Sequence, residues 1–292
     1  MDLIRHLRFF VAVAEEGHFG EAAARLEMTQ PPVSQGLRRL EKHLGVLLIR
    51  RTTRGAELTD AGRELLPRAR LLIDDAARFQ GEARRLRDRS EVLRWGAVSL
   101  VGATLTATLA QRIARVSSGQ EMASASTVSL IDQVSAGSLD LAVVEAPCVT
   151  GSLIAGPVVV VRRTVVVPAS HPVTTAERPR LRQLAGLDFC HAPRSFNPPA
   201  HDQLIDRLRE AGLDPHVLPA SSSDQVLAAV AAGRAFALTA EPGVLASVDA
   251  VRSVSMGRDA TALRLRVVYR EAALGEIAEV VTAALYKIGK AS

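Results

Sequence analysis

Between Gln30 and Ala56 the chain carries six bases, Arg38, Arg39, Lys42, Arg50, Arg51 and Arg54, against one acid, Glu41. Guanidinium groups at this density suit phosphate oxygens, which they meet by charge and by paired N–H donors. Two amides stand among them: Gln30 and Gln35 can read base edges through their donors and acceptors. The Ser34 hydroxyl, and the backbone N–H groups of a helix starting at Thr29, Gln30 or Pro31, suit phosphate as well. Charge alone does not separate such a surface from a solvated helix face in an Arg-rich chain.

A second set of residues could hold a small molecule. Ser99 and Thr104 bracket a strand-to-helix turn whose free N–H groups favour an anion, and Thr127 lies at the next such turn. Pro193-Arg-Ser-Phe-Asn-Pro-Pro199 offers Arg194 for a carboxylate, Phe196 for apolar cover and Asn197 for hydrogen bonds. Ser222 precedes a later helix. Each Ser or Thr has a plainer reading as an N-cap, and Arg194 as half of a surface ion pair. Catalysis has no comparable signature. No nucleophile elbow, paired carboxylates, phosphate-binding glycine loop or metal spacing of the seven His occurs, so neither an enzyme nor a cofactor or metal is expected. Cys148 and Cys190 share no motif and read as buried thiols rather than a redox pair.

The elements that must position the first set are helical. Leu3, Leu7, Phe10, Val11, Val13 and Ala14 predict a helix over 2–16, ended by Gly17, and Glu21–Leu26 a short second one. Val33, Leu37, Leu40 and Leu44 form one stripe of a third helix, whose opposite face carries Ser34, Gln35, Arg38, Arg39 and Lys42. Two helices joined by a turn, the second basic on its outer face, make a helix-turn-helix able to enter a major groove. Val46–Ile49, the basic Gly-containing tip 50–55 and Leu58 then read as a β-wing that carries Arg50, Arg51 and Arg54 to the duplex.

From Leu65 apolar residues fall at alternating spacings of four and three: Leu65, Ala69, Leu72, Ala76, Phe79, Ala83 and Leu86. Such a stripe seeks a partner helix, either in its own chain or in a second copy. A reader of paired half-sites needs two copies, so Leu65, Leu72, Ala76, Phe79 and Leu86 are expected to form a dimer seam, with Pro67 kinking the helix start. After Val92 short apolar runs alternate with helices, predicting a mostly parallel α/β sheet. The β-branched run 158–167 and the run 263–269 would cross twice between two subdomains, leaving a cleft at the strand ends.

These residues resemble the LysR-type transcriptional regulators. The resemblance rests on Phe10-Val-Ala-Val-Ala-Glu-Glu-Gly17-His-Phe19, Ala22-Ala23-x-x-Leu26, Gln30-Pro-Pro-Val-Ser-Gln35, Leu37-Arg-Arg-Leu-Glu-Lys-His-Leu-Gly45, Leu47-Leu-Ile-Arg50 and Leu58-Thr-Asp-Ala-Gly62. Gly137-x-Leu-Asp140-Leu-Ala, Val167-Pro-Ala-x-His171-Pro172 and Val230-Ala-Ala-Gly233-x-x-x-Ala-Leu extend it more loosely over the rest. The chain departs from the family's habit at His18, Gly20, Leu48 and Gly36, where a larger residue is usual inside the recognition helix.

The resemblance implies an N-terminal all-α winged helix-turn-helix (1–58), a linker and dimerisation helix (59–89) and a C-terminal α/β effector domain like a periplasmic binding protein (90–292). Subdomain I would span about 90–161 and 266–292, and subdomain II about 162–265. It implies double-stranded promoter DNA, a small-molecule effector contacting Thr127 among others, self-association as homodimer and homotetramer, and RNA polymerase as partners. A carboxylated effector fits the Pro-rich segment at 193–199. A constitutive DNA binder with an empty cleft and a small-solute-binding protein are the competing readings.

Composition is compatible with this division. The 292 residues carry 36 Lys+Arg and 31 Asp+Glu, a net +5, with 48% hydrophobic and 23% charged residues, which excludes a largely disordered chain. Residues 1–90 hold a net +4 of that charge. The longest stretch free of Asp, Glu, Lys and Arg is Trp95–Gln111, a poor membrane span, and the opening residues show no secretory pattern. A cytoplasmic protein with no membrane partner is expected.

Overall fold

The computed structural model describes residues 2–26, 28–52, 55–88, 92–241, 248–256 and 261–291. It divides into two compact units, Met1–Asp88 and Arg89–Ser292.

In the first unit α1 (Leu3–Glu16) starts where the Asp2 side chain accepts the Arg5 N–H at 3.0 Å. It ends at Gly17, whose φ of +69° costs glycine little. α2 (Phe19–Arg25) follows, then α3 (Gln30–Leu44) with Thr29 as N-cap and two prolines in its first turn, where a missing N–H does no harm. Phe10, Val13, Ala22, Val33, Leu37, Leu40 and Leu48 close the core between the three helices. β1 (Ile49–Thr52) and β2 (Gly55–Leu58) pair antiparallel as the wing. α4 (Asp60–Asp88) begins where Thr59 Oγ1 accepts the Gly62 N–H at 3.0 Å, so Pro67 lies two turns inside rather than at the start.

The second unit holds two sheets. The first has the order β4 (Gly119–Ala125), β3 (Val92–Val98), β5 (Leu141–Glu145), β13 (Leu263–Tyr269), β6 (Ile154–Ala155), with β7 (Val159–Val161) also on β13. Helices α5 (Gly102–Ile113), α6 (Thr127–Ser135) and α9 (Gly275–Ala291) belong to this half. The second sheet has the order β10 (Val217–Pro219), β9 (Asp188–His191), β11 (Ala235–Thr239), β8 (Thr164–Pro168), β12 (Val251–Val254), with α7 (Pro198–Glu210) and α8 (Ser223–Ala231).

Neither sheet is mostly parallel, contrary to the expectation from the alternating pattern. β3 runs parallel to β4 and β5, and β9 to β10 and β11, but β13, β6 and β7 pair antiparallel, as do β8 and β12 with their neighbours. The cause is the double crossing. A strand that arrives from the other sheet has no helix of its own to turn it round, so it enters in the opposite sense. The run 158–167 breaks at Arg162-Arg163, with β7 in one sheet and β8 in the other. The return crossing is complete by Leu263, which already pairs with Val161, three residues before the boundary expected at 266.

Candidate nucleic-acid interface and ligand cleft

The buried stripe of α3 is Val33, Gly36, Leu37 and Leu40. The opposite face leaves Gln35, Arg38 and Arg39 exposed, and Thr29, Gln30 and Pro31 are exposed at its N-terminal end. Arg38, Arg39 and Arg50 make no hydrogen bond or ion pair with another described residue. Arg51 differs: it donates to Ser34 Oγ, and its guanidinium lies over the Phe19 ring at 4.3 Å. Two expected phosphate contacts are therefore engaged with each other, which fixes the wing against α3. Arg54 lies outside the described residues.

The lone acid of the basic run has a structural task. Glu41 Oε1 accepts the N–H groups of Leu48 and Ile49 at 3.0 and 3.1 Å, tying the start of the wing to the end of α3. At the other end of the ribbon, Ala56 N donates to Gly17 O at 2.7 Å.

Gly36 is explained by its neighbour. A Cβ there would stand 2.5 Å from Phe9 Cε2 and 3.2 Å from His6 Cδ2, so α1 and α3 approach too closely for a larger residue. Helix propensity alone would favour Ala over Gly by roughly 0.5–1 kcal/mol. The buried clash costs about 1–3 kcal/mol and reverses that sign. Gly36→Ala is thus expected to lower the urea midpoint of the first unit; a raised midpoint would show that Phe9 moves aside freely.

The α4 stripe is shared. Ala69 is buried in the unit's own core, and the half-buried Leu65, Leu66 and Ile73 pack against it. Beyond it Leu72 is 48% and Phe79 72% exposed, as is Leu71 at 58%, while Ala76 is half-buried. The Leu86 side chain lies outside the described residues. Three large apolar groups in water along one helix are what a second copy would cover.

In the second unit two connected cavities open between the sheets. The larger has a cavity volume of about 160 Å³ and is lined by Ser99, Gly102, Cys190, Phe196, Ser222 and Glu241, among others. The smaller, about 20 Å³, adds Thr127, Glu145, Asn197 and His201; His191 borders both. Ser99, Thr127, Phe196 and Ser222 are thus brought together. Thr127 Oγ1 accepts the Glu145 N–H at 3.2 Å, and Ser222 Oγ caps α8 through Gln225 N.

Three expected ligand contacts are otherwise committed. Arg194 forms a bidentate pair with Asp202, at 2.7 and 2.6 Å, and lines neither cavity. The partner eight residues along the chain satisfies it at the surface, and raises its pKa by that hydrogen bond. Asn197 is buried and donates to Glu145 O at 3.0 Å, linking α7 to β5 across the sheets. The backbone N–H of Thr104 donates to the Glu241 carboxylate, so the anion position at this turn is filled by the chain itself.

Sequence reasoning missed the buried charges beside the crossings. Arg163 donates from Nε to Thr261 O at 2.6 Å, joining the two crossing segments. Burial pulls its pKa down to about 10, partly offset by Glu145, and the same burial pushes the Glu145 carboxyl up. His191 stacks on Phe189 at 4.9 Å, and burial lowers its pKa to about 3, helped by Arg163 and His201.

A histidine depressed on folding gives full stability above the unfolded value of 6.5 and loses it as pH falls towards about 3. Because the unfolded chain takes the proton first, its share should shrink by about 1.4 kcal/mol per pH unit, or about 2 kcal/mol at pH 5. Urea titrations at pH 7 and 5 should show this loss in the wild type and lack it in His191→Gln; equal losses would assign the effect elsewhere. Burial also raises both cysteine pKa values, Cys148 with opposing contributions from Arg266 and Glu145.

A helix face whose Arg38 and Arg39 are unpaired among the described residues, a wing, a long helix, and a two-sheet unit around a cleft together define a DNA-binding transcriptional regulator with a sensor domain. A model of bacterial regulatory helix-turn-helix proteins of the lysR family matches residues 4–63, and one of the LysR substrate binding domain matches residues 87–286. The chain belongs to the LysR family. It is 30% identical to the HTH-type transcriptional regulator TfdS of Cupriavidus pinatubonensis over 254 residues, 85% of this chain and 84% of that protein. To the uncharacterized HTH-type transcriptional regulator YnfL of Escherichia coli it is 51% identical over 92 residues, spanning 31% of that protein's length. Among solved structures, the oxidized form of Corynebacterium glutamicum OxyR superposes with a TM-score of 0.53 at 25% identity, covering 100% of this chain and 94% of that one. Among the described residues no helix is long and apolar enough to cross a membrane.

Proposed function

We propose that this chain binds double-stranded promoter DNA in the cytoplasm as a homodimer, paired into a homotetramer, and resets transcription when a small acidic molecule enters the cleft. Thr29, Gln30, Pro31, Gln35, Arg38, Arg39 and Arg50 face the duplex, with Ser34 and Arg51 bracing helix and wing. The second half of α4, through Leu72, Ala76 and Phe79, pairs two copies. Ser99, Thr127, Phe196 and Ser222 line the ligand's place. RNA polymerase is the natural downstream partner. The observation that carries the reading is the larger cavity, bordered by hydroxyls and one aromatic ring, in a unit joined to a basic helix face.

Ligand in such a cleft acts only through a difference in affinity between two poses of the sheets. The deciding experiment is genome-wide mapping of bound DNA, followed by footprinting with metabolites of the operons beside the bound sites. Discrete sites whose footprint changes with an acidic metabolite support the reading. Discrete sites indifferent to every such metabolite would make the chain a constitutive DNA binder, and absence of discrete sites would overturn sequence-specific binding.

A further inference from the structure

The N-terminus of α5 has no side-chain cap of its own, since its N-cap residue is Val101. The cap comes from the other sheet. Glu241 follows β11, its N–H donating to Thr239 Oγ1 at 3.0 Å, and its carboxylate accepts from Ala103 N at 2.9 Å, from Thr104 N and from Leu105 N at 3.3 Å. Gly102 makes room for it. Its φ is +77°, and a Cβ there would stand 2.8 Å from Glu241 Cγ. The same carboxylate borders the larger cavity with Ser99 and Ser222, so a molecule in the cleft can reach it.

We propose that Glu241 is a latch and built-in competitor. It holds the two sheets together across the cleft by occupying on α5 the position a ligand carboxylate would take. An acidic ligand then binds by exchanging its carboxylate for that of Glu241, which frees the second sheet to move. Three N–H donors at a helix N-terminus favour either carboxylate over water, and the intramolecular one holds the site because its effective concentration is high. Release converts a local exchange of anions into a change of pose between sheets. The inference rests on the proposed ligand cleft, but its test needs neither DNA nor the natural ligand.

The test uses the full chain as wild type, Glu241→Ala and Glu241→Gln. Cys190 is 2% exposed and borders the same cavity, whereas Cys148 does not line it. Opening the latch should therefore speed iodoacetamide alkylation of Cys190 about tenfold in both variants and leave Cys148 unchanged. Hydrogen exchange at the amides of Ala103, Thr104 and Leu105 should rise by a similar factor. Propionate, the Glu side chain as a free acid, should slow exchange at these amides in Glu241→Ala without slowing Cys190, and should speed Cys190 alkylation in the wild type; propionamide should do neither. Unchanged Cys190 reactivity would reduce Glu241 to a helix cap. An equal effect of propionamide, or none of propionate on the amides and on wild-type Cys190, would overturn the exchange of carboxylates. Should Glu241→Ala fail to fold, the near-isosteric Glu241→Gln still reads the latch through Cys190. If the chain proves to respond to no ligand on DNA, the ligand reading fails while these measurements on the latch stand.

Discussion

Alanine at both Arg38 and Arg39 is expected to weaken operator binding by roughly 10- to 100-fold near physiological salt. It should also flatten the dependence of log K on log salt by about 2, since each lost phosphate contact removes about 0.9 from the slope. The two side chains stand on the face of α3 opposite Val33, Leu37 and Leu40, exposed and without a partner among the described residues. No hydrogen bond or ion pair among the described residues is lost with them, so the unit's unfolding midpoint should hold. Arg51 offers the contrast. Its bonds to Ser34 and its place over Phe19 mean that Arg51→Ala would disturb the wing as well as any phosphate contact. Gln35→Ala should act differently again, costing discrimination between sites by about 1–3 kcal/mol while the salt slope stays. Titrations of labelled operator and random duplex across a salt series separate these outcomes. An unchanged slope in the double variant would remove both arginines from the phosphate set.

Trp95→Ala should be the most destabilising change in the sensor unit, at about 3–5 kcal/mol. Trp95 is fully buried in β3, among Leu109, Ile113, Leu130 and Leu141. Its Nε1–H donates to Gln120 Oε1 at 2.9 Å, and Gln120 in turn donates to Ala110 O at 2.8 Å, so the indole joins β3 to β4 and to α5. Removing it leaves a cavity and an orphaned acceptor together. Trp95→Phe keeps most of the volume and loses the hydrogen bond, for about 1–3 kcal/mol. As the chain's one tryptophan, it reports unfolding of this unit alone by fluorescence in the wild type; circular dichroism serves for the variants. Equal losses for both substitutions would assign the stability to the hydrogen bond rather than to packing.

The reading half of the molecule was legible because its signals are local. The stripe Val33, Leu37, Leu40, the prolines after Thr29 and the glycine at 17 each act within a turn of their own position. The sensor half was legible as elements but not as pairings. Strand sense in β8 and β13 depends on where the chain comes from, and no residue in those strands encodes it. Arg194 was misplaced because Asp202, its partner, lies on the far side of a proline-rich turn and reads in sequence as one more helix residue. Glu241 could not have been found. It meets Ala103 and Thr104 across 137–138 residues of chain, and a lone Glu after a strand carries no mark of that contact. Gly36 lay between these cases, visible as unusual but explained only by Phe9 on another helix.

The contact between Gly36 and Phe9 also divides the reading helix into what can be rewritten and what cannot. Positions 35, 38 and 39 turn outward, whereas 33, 36, 37 and 40 are buried and Ser34 holds Arg51 of the wing. A library aimed at new operators can therefore randomise the outward set on this scaffold. A helix transplanted from a relative with a bulkier residue at position 36 would arrive too thick for the gap, unless a smaller side chain replaced Phe9 at the same time.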